Sequence, residues 1–265
     1  AWRFNAALTA NAVLFILVTQ SDRLLVSAIL PLSDLGHYFL AGSIASIPFL
    51  VVTPVMMVLL PRFSRMLEAR DIGGLNHLYH LSSQAISVAL WPVGLIGIVF
   101  PGLVAFAWTG EEQIVREFST VLPLLMAGTV LLASNCAPNA MALAAGRADI
   151  PLCVNLASLI GIPVAYVLMQ RFGTLGATAT WVVAGIVNVV LMPTLLARSV
   201  LPGAWLRWWF VDLGLPLATS LGLAMGLGLL SFPGGRIGAF FELGTIWVCL
   251  TAAAAFSAPD VRREI

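Results

Sequence analysis

Residues 4–30 read FNAALTANAVLFILVTQSDRLLVSAIL and are closed by Pro31. As a helix rising 1.5 Å per residue this stretch covers about 40 Å, more than the roughly 30 Å hydrocarbon core of a bilayer. Two charges, Asp22 and Arg23, stand inside it. A charge at bilayer depth costs about 2.5 to 3.5 kcal/mol even on the lenient insertion scale. The pair is therefore expected on a water-filled cavity or a transport path, not on lipid.

Working outward, the rest of the chain has the same character. Hydrophobic residues make up 60% of it, charged residues 9%, and the mean hydropathy is +1.00. Soluble domains carry about a quarter charged residues. Apolar stretches near the length a bilayer requires cover residues 4–30, 36–60, 82–108, 118–144, 150–170, 175–197, 209–231 and 237–257. None alternates apolar and polar residues as a barrel strand would. The expected fold is an all-α membrane protein of about eight transmembrane helices.

All thirteen basic residues are arginine. If the first helix starts in the cytoplasm, that side receives Arg3, Arg62, Arg65, Arg70, Arg147, Arg198, Arg207, Arg262 and Arg263. The other side receives Arg116, Arg171 and Arg236, with the acidic trio Glu111, Glu112 and Glu117. This positive-inside bias predicts a multi-pass protein of the bacterial cytoplasmic (inner) membrane with both chain ends cytoplasmic. The net charge of +1 carries no nucleic-acid signal, because the charges are topological and the loops short. Cys136, Cys153 and Cys249 lie singly in separate apolar stretches and read as buried free thiols. No zinc, P-loop or hydrolase motif appears, so no cofactor, metal or catalytic residue is expected. The start Ala1-Trp2-Arg3, entering a membrane helix almost at once, reads as a piece of a longer protein.

Between the stretches, Pro31 to Gly36 has the composition of a tight outer turn. Arg62 to His80 is the one sizeable polar segment, either a short helix on the cytoplasmic surface or an ordinary basic connector. Trp91-Pro92, Pro123, Pro138 and Pro163 are expected to interrupt the middle helices. Gly173-Thr174-Leu175-Gly176 reads as a short outer turn, and Gly222 with Gly226 as a GxxxG spacing for close helix packing.

On a helical wheel of the first stretch, Asn5, Thr9, Gln20, Arg23 and Ser27 share a stripe roughly 60° wide, while Asn11 and Asp22 lie about 100° from its edge. Asp22 and Arg23 thus diverge, and Val18, Thr19, Leu25 and Val26 offer Asp22 no cation. Its partner must be another helix, water or a ligand. Pro31 follows Asp22 by about 13 Å of helix, which places the pair well below the outer surface. Asn135 and Asn139 share one face of a helix around Pro138; they line the same cavity as Arg23 or serve as polar glue between helices. Tyr38 and Asn155 are further candidates.

The run Gln20-Ser21-Asp22-Arg23-Leu24-Leu25, then Gly36-His37-Tyr38 and Ala41, then Leu60-Pro61-Arg62-Phe63-Ser64-Arg65 resembles the polysaccharide-transporter branch of the multidrug/oligosaccharidyl-lipid/polysaccharide exporter superfamily. These are the O-antigen and lipid-linked oligosaccharide flippases. Ala145-Gly146-Arg147, Asn155 and Gly173 to Ala177 extend the likeness in the order of such a protein's second half.

The resemblance implies that residues 1–200 form a C-terminal six-helix lobe, with 201–265 an additional transmembrane hairpin and short cytoplasmic tail. It further implies a missing N-terminal lobe of the same protein as partner, the two lobes enclosing a cavity that opens alternately to each side. The implied substrate is an undecaprenyl-pyrophosphate-linked oligosaccharide, an O-antigen or exopolysaccharide unit. Arg23 would meet the pyrophosphate, since guanidinium bonds phosphate with charge assistance. Asp22 would orient the cavity network or take part in ion coupling, and Gln20, Asn135, Asn139 and Tyr38 complete the substrate-binding set. A cation-coupled multidrug exporter of the same superfamily and a membrane-embedded glycan polymerase or ligase are the alternatives. The latter would need catalytic groups on the outer face, where Glu111, Glu112 and Glu117 have no complementing histidine.

Overall fold

The computed structural model describes residues 2–110, 112–228 and 235–264, with the side chains at 3, 33, 112–114, 116 and 117 outside the description. The readings placed on Arg3, Glu111, Glu112, Arg116 and Glu117 therefore lie outside the described side chains. The chain is a multi-pass, all-helical membrane protein. Among the described residues eight spans are long and apolar enough to cross a bilayer: Phe4–Ile29, Asp34–Glu68, Ile72–Val99, Phe118–Ala144, Asp149–Phe172, Thr174–Ser199, Ala204–Leu227 and Arg236–Ser257. The third and fourth form the centre, with 67% and 72% of their apolar windows buried. Exposed Trp2 and Trp205 at one end and Trp108 at the other suit the two membrane–water interfaces.

Proline sets most of the breaks within and between spans. The first span is α1 (Trp2–Ile29), and Pro31, extended at ψ 154°, is the N-cap of α2 (Leu32–Ala45). The outer turn is thus tighter than the Pro31–Gly36 reading, because Asp34 to Gly36 already belong to α2. Ser46 separates α2 from α3 (Ile47–Glu68), with Pro48 in the first turn of α3.

Arg62 to His80 is neither a surface helix nor a connector. Helix α3 continues to Glu68, Arg70 takes a positive φ of 54°, and Asp71 caps α4 (Ile72–Val99) by accepting from the Gly74 amide at 2.9 Å. The third span accordingly starts ten residues before the expected 82. Its polar first turns hold His80, Ser82, Ser83 and Gln84 in buried positions, and of these His80 and Gln84 find partners on other helices. It stops at Phe100, whose non-helical conformation precedes Pro101, and a separate α5 (Pro101–Thr109) follows.

Helix α6 (Glu112–Ala133) gives way to α7 (Cys136–Ala144) where Pro138 cannot donate to the Ser134 carbonyl. Likewise α8 (Asp149–Ser158) yields to α9 (Gly161–Phe172) with Pro163 in its first turn. Pro92 and Pro123, by contrast, sit inside continuous helices. Gly173, at φ 56°, makes the turn into the short α10 (Thr174–Ala177), and α11 (Ala179–Ser199) completes the sixth span. A four-residue α12 (Ala204–Arg207) and a π-helical segment, Trp208–Gly214, lead into α13 (Leu215–Leu227). Pro216 lacks the donor that the Asp212 carbonyl would need in an α-ladder, and the wider π-turn accommodates it. Helices α14 (Arg236–Ser257) and α15 (Pro259–Glu264) close the described chain.

The close crossing is between α6 and α11. A Cβ on Gly128 would lie 2.5 Å from the Trp181 backbone, and one on Gly185 2.8 Å from the Gly128 carbonyl. Without a hydrophobic effect between helices in lipid, such backbone approach is what gives packing its energy. Among the described residues the expected GxxxG contact is not made: at neither Gly222 nor Gly226 would a Cβ meet an atom within 4 Å. Cys136 is buried, but Cys153 is exposed and Cys249 half-buried, against the expectation of buried thiols.

Candidate functional site

Helix α1 contributes to two adjoining cavities, of ≈ 380 and ≈ 360 Å³, that share Phe15, Phe49 and Thr53 in their walls. The first is enclosed by α1, α2, α3, α6 and α11 and holds Gln20, Asp22 and Arg23. The split inferred from the helical wheel is realised. Asp22 is 2% exposed and turns inward; its Oδ2 accepts from Tyr38 Oη at 2.6 Å and from Trp181 Nε1 at 2.7 Å. Its Oδ1 is buried with no hydrogen-bond partner. The partner that the sequence required outside the helix thus comes from α2 and α11. Tyr38, itself 1% exposed, spends its hydroxyl on this carboxylate. Asp22 is thus fixed in the cavity wall, and Tyr38, which is not part of that wall, braces its carboxylate from α2.

Arg23 has the opposite disposition. It is half-buried, its guanidinium carbon stands 5.3 Å from the centroid of the Phe39 ring, and its Nη2 passes the edge of Gly42. Gly42 leaves room there, since an added Cβ would stand 3.9 Å from that nitrogen. The contact with Phe39 is a cation–π interaction, which holds the guanidinium without consuming its N–H donors. Among the described residues no hydrogen bond or salt bridge occupies those donors. Gln20 is exposed on the same wall.

The second cavity gathers asparagines from α1, the α6–α7 break, α7, α8 and α11: Asn11, Asn135, Asn139, Asn155 and Asn188. Pro138 is the local cause for two of them. By breaking the helix it leaves Asn135 as the N-cap of α7, with its Nδ2 donating back to the Leu131 carbonyl at 3.0 Å. Its Oδ1 and that of Asn139 are buried without partners, so neither oxygen acts as interhelical glue. Glue is supplied instead by Asn155, whose Nδ2 donates to Asn11 Oδ1 at 2.8 Å, and by Asn188, which donates to Ser158 Oγ at 3.1 Å. Asn135 and Asn139 thus line a cavity next to that of Arg23, not the same one.

A third polar cluster lies at the ends of α4, the π segment and α15. Asp212, fully buried, meets His80 Nδ1 and accepts from Gln84 Nε2 at 2.9 Å. The same Nε2 reaches Asp260 Oδ2 at 2.9 Å, the Asp260 amide donates to Gln84 Oε1 at 2.8 Å, and Arg207 pairs with the Asp260 carboxylate. At the opposite end, Arg236 donates to the Ala107 and Trp108 carbonyls at 3.0 and 2.9 Å. Those carbonyls end α5, where a cation also meets the negative pole of the helix. The last helices of the described chain are therefore tied to α4 at one end, through Arg207, Asp212 and Asp260, and to α5 at the other, through Arg236. The sequence reading passed over these groups, though a glutamine and a histidine one turn apart at the head of an apolar helix were a visible signal.

Residues 1–111 match the family model described as polysaccharide biosynthesis protein. The chain is 28% identical to the lipopolysaccharide biosynthesis protein WzxC of Escherichia coli over 83% of this chain and 44% of that protein. It is 22% identical to a candidate O-antigen transporter of Shigella flexneri over 74% of this chain and 46% of the relative. To the succinoglycan biosynthesis transport protein ExoT of Rhizobium meliloti it is 33% identical over 46% and 28% of the two chains. The chain spans less than half the length of each of these relatives. No solved structure matches it. These matches bear out the family likeness carried by Gln20–Leu25 and the motifs that follow it.

Proposed function

We propose that this chain, a relative of the polysaccharide transporters, is the C-terminal part of a flippase that moves an undecaprenyl-pyrophosphate-linked oligosaccharide across the bacterial inner membrane by alternating access. The observation that carries the proposal is Arg23: a guanidinium at membrane depth, beside a cavity, with no hydrogen bond or salt bridge on its donors among the described residues. An intramembrane cation is a functional-site candidate by default, and a pyrophosphate would take its bidentate bonds. Asp22 and Tyr38 act through position, holding α1, α2 and α11 together behind it.

In this reading the chain supplies one six-helix lobe, residues 1–200, and a further hairpin, 201–265. A second lobe faces the cavity wall of α1, whose exposed polar residues Asn5, Thr9, Gln20 and Ser27 would otherwise meet lipid. In the same reading both ends of the chain lie in the cytoplasm, which the arginine distribution supports. The protein is a transporter and not an enzyme, as the names of its relatives support.

The test is the sidedness of the lipid-linked precursor in cells lacking the protein. Precursor confined to the cytoplasmic leaflet, with glycan chain length unchanged on complementation by reduced protein levels, supports the flippase. Altered chain length with normal sidedness contradicts it and favours a polymerase. Lost drug efflux in a sensitised strain with normal surface glycan would favour the multidrug exporter.

A further inference from the structure

The corner where α12, the π segment and α15 meet carries more positive charge than the network behind it uses. Asp260 is its centre: the residue is buried, and Gln84 holds it from α4 through both its carboxylate and its amide. Arg207 Nη2 bonds one carboxylate oxygen, and Arg263 Nη1 stands 4.0 Å from the other. One buried anion is thus flanked by two guanidinium groups whose side chains are 44% and 80% exposed. Among the described residues Arg207 makes that one hydrogen bond and Arg263 makes none, so most of their N–H donors remain for an outside acceptor. Arg262 adds a third exposed cation on α15, while Glu264, the other acid of that helix, reaches His77 at 3.8 Å. Asp212 is turned inward to His80 and Gln84. The outward face of the corner is therefore cationic.

Its depth follows from the residues beside Arg207. Trp205 and Leu206 are exposed, and Phe210 is 70% exposed. An exposed indole settles at headgroup level. Arg207 follows Trp205 by two residues, about 3 Å of helix rise, and its long stem carries the guanidinium to the depth of the lipid phosphates. Phe210 lies farther into the span Ala204–Leu227, toward the acyl chains. From the surface inward the corner offers two positioned cations and then an apolar face. An anionic phospholipid has the same order, a phosphodiester above and acyl chains below, and guanidinium binds phosphate with charge assistance. A soluble phosphate would leave Leu206 and Phe210 uncovered. A zwitterionic lipid would bring its own ammonium against the arginines.

We propose that this corner binds a bilayer phospholipid with a singly anionic headgroup, of the phosphatidylglycerol kind, whose phosphate bridges Arg207 and Arg263. The bound lipid fastens the start of the terminal hairpin to the last described helix, since the two arginines come from α12 and α15. The site is separate from the pyrophosphate contact at Arg23, and the flippase reading enters only in assigning the corner to the cytoplasmic leaflet.

The experiment uses the intact protein in neutral detergent, with phosphatidylglycerol and phosphatidylethanolamine of matched acyl chains as probes and lipid retention read by native mass spectrometry. An arginine near an anionic headgroup is worth about fivefold in affinity, so wild type should hold one phosphatidylglycerol about twenty-fivefold tighter than phosphatidylethanolamine. Arg263→Gln should cut that preference about fivefold and leave the unfolding midpoint unchanged, because this side chain makes no hydrogen bond. Adding Arg207→Gln should remove the remaining preference; if unpairing Asp260 unfolds that double variant, Arg263→Gln alone decides. Arg62→Gln, which removes an exposed cation of α3, should change the preference less than about twofold, since charge outside the corner acts only through the screened surface potential. Equal losses in Arg62→Gln and Arg263→Gln would reduce the effect to diffuse surface charge and overturn the site. Equal retention of the two lipids by wild type, or an undiminished preference in Arg263→Gln, would overturn it as well. Each of these failures leaves the flippase reading standing. Retention of undecaprenyl pyrophosphate should be unaltered in Arg263→Gln; its loss there without loss of phosphatidylglycerol would assign the corner to the transported lipid and overturn the phospholipid.

Discussion

Replacing Gln84 by leucine removes the centre of the network that ties the terminal hairpin to α4. Gln84 makes three bonds of 2.8 to 2.9 Å, to the Asp212 carboxylate, the Asp260 carboxylate and the Asp260 amide. Arg207 still serves the Asp260 carboxylate after the change, so two groups are left fully unsatisfied, one of them an oxygen of a buried carboxylate. Each such group costs about 1 to 3 kcal/mol, and more when charged. Added apolar burial by leucine offsets a fraction. The net loss is about 3 to 5 kcal/mol, the range seen when a buried pair is broken from one side. At about 1.4 kcal/mol per decade, 4 kcal/mol lowers the ratio of docked to undocked hairpin by roughly a thousandfold. The assay is reversible unfolding in a lipid–detergent mixture, paired with protease nicking in the 200–203 connection. A loss below about 1 kcal/mol with unchanged nicking would refute the reasoning, and would mean that apolar contacts around Ala224, Ile246 and Leu250 dock the hairpin alone.

The glycines give a paired prediction. Gly128→Ala should destabilise by about 1 to 3 kcal/mol or abolish folding, because its Cβ would enter the Trp181 backbone, whereas Gly222→Ala should stabilise by about 0.5 to 1 kcal/mol; both are read from unfolding curves. Arg236→Ala should cost about 1 kcal/mol and loosen the outer end of α14, measured as slower disulfide formation between cysteines placed on α5 and α14. Tyr38→Phe should cost about 1.5 to 3 kcal/mol by stripping one of two donors from a buried carboxylate, and Asp22→Asn should reduce that penalty when combined with it in a double-mutant cycle.

The eight spans were legible because bilayer thickness imposes one length on every crossing segment, and each expected stretch overlaps an observed span. The exception in register, 82–108 against Ile72–Val99, has a physical cause. A hydropathy reading leaves the polar turns up to His80 outside the helix core, and only the arrival of Asp212, more than a hundred residues later, offsets the burial of that imidazole. Helix breaks followed proline where it stood at a span's weak point, as at Pro138, but not at Pro92 or Pro123, where the helix continues. The wheel separated Asp22 from Arg23 correctly because α1 is a continuous helix, and for that reason Asp22's need for an external partner could be read from Val18, Thr19, Leu25 and Val26. That Tyr38 and Trp181 would be those partners could not, since no local rule links positions 16 and 159 residues away. The five asparagines were scattered in sequence over four spans, and only tertiary packing shows that they share one chamber.

Arg23 remains the direct test of the whole account. In a strain whose only copy carries Arg23→Ala, at wild-type expression in the membrane, surface glycan should be lost and lipid-linked precursor should accumulate on the cytoplasmic leaflet, with Arg23→Lys retaining part of the activity because it keeps the charge but not the bidentate fork. Wild-type surface glycan in the Arg23→Ala strain would contradict the assignment of this guanidinium to the pyrophosphate.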